Sequence, residues 1–287
     1  MRKTRFVIVH YHLFKNAGTT LNELLERNFS GQLAYLDGDH ATSSLAERDL
    51  LQFLDANPHV LAVSSHHLRP ASPAEENFVF FDVLSVRNPL DRLRSMYDFY
   101  HRSADGDDSL IAYAKERDIA GFFELLLDRC PHLVNNAQVN YFANAGRYMR
   151  PPGGKDLEKA VDIIVRSAVP IVTELFDYCA VSAEYFLKPA FGSLDFSYTP
   201  ENVSGDRLLR LSDRMKALRR SCGSALYQEL LRSNDLDFKL LERIETEVHR
   251  RFRKIPKAKD RLQDFRRRCQ MRAVGAPFPG NRAKASG

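Results

Sequence analysis

Cysteine is scarce in this chain. Cys130, Cys179, Cys222 and Cys269 lie far apart and never form a CxxC pair, so neither a zinc-binding pattern nor a disulfide framework is indicated. Long apolar runs are also missing, which excludes a membrane-spanning helix of the usual length. Residues 1–10 carry no apolar segment of the kind that secretion signals need, and a reducing cytoplasm is the expected location. No GxxxxGK[ST] spacing occurs, which disfavours an ordinary nucleoside triphosphatase, and no internal repeat suggests a solenoid.

What is present fits one large α/β domain. The 287 residues are enough to bury a sizeable core, and we expect a single domain over 1–272 followed by a disordered basic tail at 273–287. The net charge of +5 conceals an asymmetry: residues 250–287 hold 13 Lys and Arg against 2 Asp, whereas residues 1–249 hold 29 basic and 35 acidic side chains. A basic end of +11 is thus attached to a body of −6. The end reads as a solvated helix face or as a contact for an anionic surface, including peripheral contact with a membrane. An acidic body without a recognisable reading motif argues against a nucleic-acid binder.

The chain is organised around residues 7–25. The β-branched run Val7-Ile8-Val9 leads through a polar turn, His12 to Gly18, into the helical spacing of Leu21, Leu24, Leu25 and Phe29. Backbone amides at such a helix start point towards whatever sits above the turn, and the helix dipole adds partial positive charge. Lys15, Thr19 and Thr20 add donors, so the site suits an anion. Lys15 precedes Gly18 by three residues, the reverse of a Walker A loop.

Further along, Ser44 and Glu47 have capping-box spacing ahead of a helix with Leu45, Leu50, Leu51 and Leu54. His59 to Ser64 reads as a short strand ending in Ser65-His66-His67, and 68–77 as a surface loop. Phe78 to Val86 is apolar on both faces apart from Asp82 and Ser85, as expected of a strand central to a parallel sheet. Pro89 then opens a helix to about Arg102. Helices are expected over Ser109–Lys115, Ala120–Arg129 and Leu157–Arg166, and at about 175–188, 206–220, 222–232 and 235–253. A last strand is expected at Val169 to Thr173, after a mobile loop at 145–154. The expected fold is a mostly parallel sheet flanked by helices, with a helical C-terminal part.

In such a sheet ligands sit outside the carboxyl ends of the strands. One end presents Lys15 to Thr20; the other presents Arg87, with Ser95 two turns into the following helix. Arginine offers a planar fork to phosphate, so two anion pockets on one edge suit a ligand with two phosphate-like ends. Arg87 could instead pair with Asp91 at helix spacing.

These stretches resemble a known family. His12-Leu13-Phe14-Lys15-Asn16-Ala17-Gly18-Thr19-Thr20 is similar to the HxPKTxGT(S/T) loop of sulfotransferases that use 3′-phosphoadenosine 5′-phosphosulfate, where the loop grips the 5′-phosphosulfate. Arg87 to Ser95 resembles that family's RxPxxRxxS segment, whose arginine and serine hold the 3′-phosphate. Ser65-His66 is similar to a Gly-His in the carbohydrate branch related to heparan sulfate 2-O-sulfotransferases, where the histidine is the proposed base. Weaker echoes are Val172 to Phe176, like V-x-x-T-E-x-F, and Glu201-Asn202-Val203-Ser204, like a late N-V-S. Departures are Phe14 for proline, Asn16 for threonine and Ser65 for glycine.

The resemblance implies a P-loop-like sulfotransferase fold that binds the donor through Lys15, Asn16, Ala17, Gly18, Thr19, Thr20, Arg87 and Ser95. Lys15 would stabilise charge on the departing 5′-phosphate, and His66, or its neighbour His67, would take the acceptor's proton. No catalytic metal is expected, because Arg87 stands where a magnesium-binding aspartate would end the central strand. The acceptor would be a hydroxyl of a carbohydrate, a lipid or a small metabolite. A P-loop kinase-like phosphotransferase and a non-catalytic anion or nucleic-acid binder are the alternatives.

Overall fold

The computed structural model describes residues 4–40, 42–104, 106, 108–199 and 210–274. Five parallel strands form its sheet, ordered β2-β3-β1-β4-β5: β1 is Arg5–Tyr11, β2 Leu33–Tyr35, β3 Ala62–Ser65, β4 Phe78–Val86 and β5 Val169–Val172. The sequence places Phe78–Val86 at the centre; the structure puts β1 there, with β4 beside it and still paired on both edges. Burial gives the reason. Val7, Ile8 and Val9 are wholly enclosed, while Val79 is exposed and Phe78, Phe80 and Phe81 are only partly covered. The three-residue β2 is too short to leave a periodic signal, and the sequence reading misses it.

Helices α1 (Gly18–Asn28) and α2 (Glu47–Ala56) connect β1 to β2 and β2 to β3. The start of α2 differs from expectation: Ala46 is the capping residue, and the Asp49 carboxylate accepts from the Ala46 amide at 2.7 Å, so Ser44 and Glu47 do not form the box. After β4 come α3 (Pro89–Arg102), α4 (Ser109–Glu116), α5 (Ile119–Arg129), α6 (Pro131–Val134), α7 (Ala137–Asn144) and α8 (Gly154–Arg166). Beyond β5, a single 3-10 turn at Thr173–Leu175 leads into α9 (Phe176–Phe191). The C-terminal part is α10 (Leu211–Ser233), α11 (Asp235–Arg253) and α12 (Ala258–Ala273). The two helices expected between 206 and 232 meet as one bent element, because Gly223 has a φ of 73°; 206–209 lie outside the described residues.

Two apolar clusters hold these layers. One surrounds the sheet; the other joins α3, α5 and α10 through Leu93, Met96, Phe122, Phe123, Leu218 and Leu230. Phe14, from the turn after β1, packs on the second cluster, so that turn sits where the two cores meet. The basic C-terminal stretch contains a helix, α12, beyond those expected from the sequence. Helix α12 is pinned to the body by Arg266 on Asp177, Arg268 on Glu184 and Asp195, and Arg272 on Asp195 and Ser197. The acidic body and basic end thus pair with each other. Residues 275–287, the greater part of the expected tail, lie outside the described residues. Among the described residues, no helix is long and apolar enough to cross a membrane.

Candidate anion-binding site

The turn between β1 and α1 is held in an unusual backbone shape. Lys15 and Ala17 take left-handed φ values of 65° and 61°, which disfavour residues with a Cβ by about 1–2 kcal/mol each. Contacts from other elements hold it. The Arg87 Nη1 donates to the Lys15 carbonyl at 2.8 Å, and the Phe14 ring meets Phe99 edge-on at 5.2 Å. Asn16 is fully buried, its Nδ2 donating to the Ser85 carbonyl and to Gln138 Oε1, both at 2.9 Å. The Asn16 backbone amide also bonds to Leu13. Expected among the ligand-binding residues, Asn16 is instead spent on fixing the turn.

The donors left without a helical partner belong to the helix start. The first helical bond runs from the Leu21 amide to the Ala17 carbonyl, and Ala17 offers no side-chain cap, so the amides of Gly18, Thr19 and Thr20 stand outside the helical ladder. Thr19 is exposed and Thr20 half-buried. Lys15 Nζ lies over the Phe99 ring, 4.7 Å from its centroid. Gly18 admits no side chain, because a Cβ there would fall 1.9 Å from the His12 imidazole.

That imidazole is the middle of a stack of three. His10 on β1 and His12, just past its end, are two residues apart and share a face, with ring centroids 5.3 Å apart, and His66 stacks on His12 at 3.9 Å. Burial first, then neighbouring His12, pushes the His10 pKa down to about 3. Burial, then neighbouring His66, pushes His12 down to about 4. Both rings are therefore neutral at pH 7. His66 is exposed at the top of the stack, its amide fixed by the Asp37 carboxylate at 2.7 Å. His67 points elsewhere: its Nδ1 accepts from the Gly38 amide at 2.9 Å and faces Asp37. Of this pair, His66 stacks on His12.

Arg87 is placed differently from expectation. It is only 8 % exposed, and its Nε and Nη2 donate to Asp91 Oδ2 at 2.9 and 2.6 Å. Three of its N–H groups thus brace Asp91 and the Lys15 carbonyl, the pairing that i, i+4 spacing left open. Arg214 of α10 grips the same carboxylate, Nε to Oδ1 at 2.6 Å and Nη2 to Oδ2 at 2.9 Å. Burial alone would raise the Asp91 pKa, yet the hydrogen bonds and charges of Arg214 and Arg87 hold it below its usual range. Ser95 is buried on α3.

Several residues that shape the site escape the sequence reading. Gln138, at the start of α7, receives the Arg87 amide, donates to the Arg87 carbonyl and receives Asn16, each at 2.9 Å. Buried Asp237 of α11 in turn accepts from the Gln138 and Val139 amides. These partners lie 51 to 122 residues apart, so no local pattern announces them. Asn22 could have been noticed, since it lies one turn into α1 from the helix start. Of the weaker echoes, Glu174 accepts from the Asn88 amide at 2.8 Å and Thr173 donates to the Val86 carbonyl, tying β5 to β4; Glu201 to Ser204 lie outside the described residues.

Among the described residues, no group of three or more His, Cys, Asp or Glu is placed to hold a metal ion. No protein-family model matches the chain. It is similar to a protein of Archaeoglobus fulgidus described only as uncharacterized, with 23% identity over 243 residues, 84% of this chain and 96% of the other.

Proposed function

We propose that this protein is a sulfotransferase of the P-loop-like kind, moving a sulfuryl group from 3′-phosphoadenosine 5′-phosphosulfate to a hydroxyl of a carbohydrate, lipid or small metabolite. The observation that carries this reading is the uncapped start of α1, with Lys15, Thr19 and Thr20 beside it in the chain and His66 stacked on the His12 ring that meets Gly18. A turn with free amides and no room for a Cβ at Gly18 fits a tetrahedral anionic end group.

The donor, when bound, supplies a sulfuryl group attached to a phosphate leaving group. His66 takes the acceptor's proton as the acceptor oxygen bonds to sulfur. Lys15 and the amides of Ala17 to Thr20 hold the charge left on the 5′-phosphate as the old sulfur–oxygen bond breaks. Arg87 keeps two of its five N–H groups beyond the three given to Asp91 and Lys15, and with Ser95 it is the proposed hold on the 3′-phosphate. Arg214 also grips Asp91, so the carboxylate that orients Arg87 is held from both sides.

Calorimetry of the full chain with 3′-phosphoadenosine 5′-phosphate, ATP and 5′-AMP tests the reading. We expect the bisphosphate to bind most tightly; a preference for ATP would end the sulfotransferase reading in favour of a phosphotransferase.

A further inference from the structure

Beneath the three stacked imidazoles lies a hydrogen-bond network that the proposed chemistry does not use. Ser64 Oγ donates to Asn22 Oδ1 at 2.7 Å, and His10 Nδ1 lies 3.0 Å from the same oxygen and 2.9 Å from Ser64 Oγ. His10 Nε2 is buried with no partner. A buried N–H without an acceptor is rarer than a buried lone pair without a donor, so the His10 proton belongs on Nδ1, directed at Asn22 Oδ1. Two donors then converge on Asn22 Oδ1, which fixes the amide and aims its Nδ2 at His12 Nδ1, 3.5 Å away. His12 Nδ1 is therefore the acceptor, and a neutral His12 carries its proton on Nε2. That edge of the ring lies against Gly18, at the start of α1.

We propose that Asn22 is a positioning residue that fixes His12 as a neutral Nε2–H donor at the start of α1, where His12 contacts the bound anion and leaves His66 as the one proton acceptor of the stack. The inference rests on reading the β1–α1 turn as an anion site. Its physical basis is the crowding of the stack: His12 is faced by His10, His66, Lys15 and Asp37, and a second positive imidazole 3.9 Å from His66 would oppose proton uptake there. Hydrogen-bonded through Asn22, His12 contributes a donor without a charge.

Histidine 15N spectra of the full chain test this, because they separate protonated from bare ring nitrogens. In the native protein between pH 6 and 8, His12 should show a protonated Nε2 and a bare Nδ1; a proton on Nδ1, or a doubly protonated ring, would overturn the proposal. Addition of inorganic sulfate, and separately of 3′-phosphoadenosine 5′-phosphate, should move the His12 Nε2 signal. If sulfate moves it while the bisphosphate binds no more tightly than sulfate, the His12 assignment stands and the sulfotransferase reading falls. If neither anion moves it, the assignment falls. Asn22→Asp, an acceptor in place of a donor, should transfer the His12 proton to Nδ1 and weaken anion binding about tenfold, the scale of one charge-assisted hydrogen bond. Should that variant not fold, Asn22→Ala should leave His12 divided between both tautomers; an unchanged tautomer and affinity would contradict the positioning role.

Discussion

The β1–α1 turn and the β4–α3 junction occupy the carboxyl ends of adjacent strands, and each sets a cation beside a helix start. Their hydrogen-bond economies are opposite. At α3, the Asn88 side chain accepts from the Asp91 amide at 3.1 Å, Pro89 removes another donor, and Arg87 is paired with Asp91. At α1, no side chain caps the helix and the amides of Gly18, Thr19 and Thr20 stay outside the helical ladder. A cation near a helix start is therefore not by itself an anion site; the two regions differ in the helix start, which a side chain caps at α3 and none caps at α1.

The largest effect should come from cutting what joins the two regions. Gln138→Leu strands the Arg87 amide, the Arg87 carbonyl and the Asn16 amide in the interior, at about 1–3 kcal/mol for each buried group. Denaturant unfolding should show a loss of about 3–5 kcal/mol; a loss below about 1 kcal/mol would mean that the regions are held independently. Arg87→Met comes next. The remaining grip of Arg214 on Asp91 softens the loss of this pair, so we expect about 2–3 kcal/mol, below the usual cost of breaking a buried pair. A purely ligand-binding arginine would instead leave the unfolding midpoint unmoved.

Acid should separate the regions by the pH window in which each loses stability. The folded pKa values of His10 and His12, about 3 and 4, lie below the ordinary 6.5, so the unfolded chain binds protons first. Stability should fall as pH drops from about 6.5 towards 4, with a slope of up to about 1.4 kcal/mol per pH unit for each histidine. Asp91, held low by its arginines, acts only further down: its contribution is lost as pH falls below the ordinary carboxylate range. Unfolding measured at pH 6.5, 5.5 and 4.5 in the native protein and His12→Gln should show a shallower slope in the variant; equal slopes would place a charge on His12 in the folded state. The smallest effect is steric. Gly18→Ala must displace the His12 ring, costing about 1–3 kcal/mol of stability and weakening sulfate binding. Sulfate affinity equal to native would remove the helix start from the site.

The same contrast explains what the sequence could disclose. The strand–turn–helix of 7–25 is legible because its signals are local: a β-branched run, a glycine at the helix start and leucines at helical spacing. Arg87 is legible as to type and position, and its pairing with Asp91 is open as an i, i+4 alternative. What stays hidden is long-range: Gln138, Asp237 and Arg214 come from helices that only the fold brings near. The three-residue β2 and the docking of α12 escape for related reasons, one too short for a period and the other stabilised by ion pairs to distant acids. His12 lies inside the recognised turn, yet its place between His10 and His66 depends on β1 and β3 being neighbours.

In the proposed site the amides at the start of α1 receive the anion while the Arg87 Nε stays on Asp91. Amide and arginine 15N spectra of the full chain, recorded through a titration with 3′-phosphoadenosine 5′-phosphate, examine both halves together. The predicted result is a saturable shift of the Gly18, Thr19 and Thr20 amides with the Arg87 Nε signal, bonded to Asp91, staying in place. A moving Arg87 Nε with stationary loop amides would contradict it.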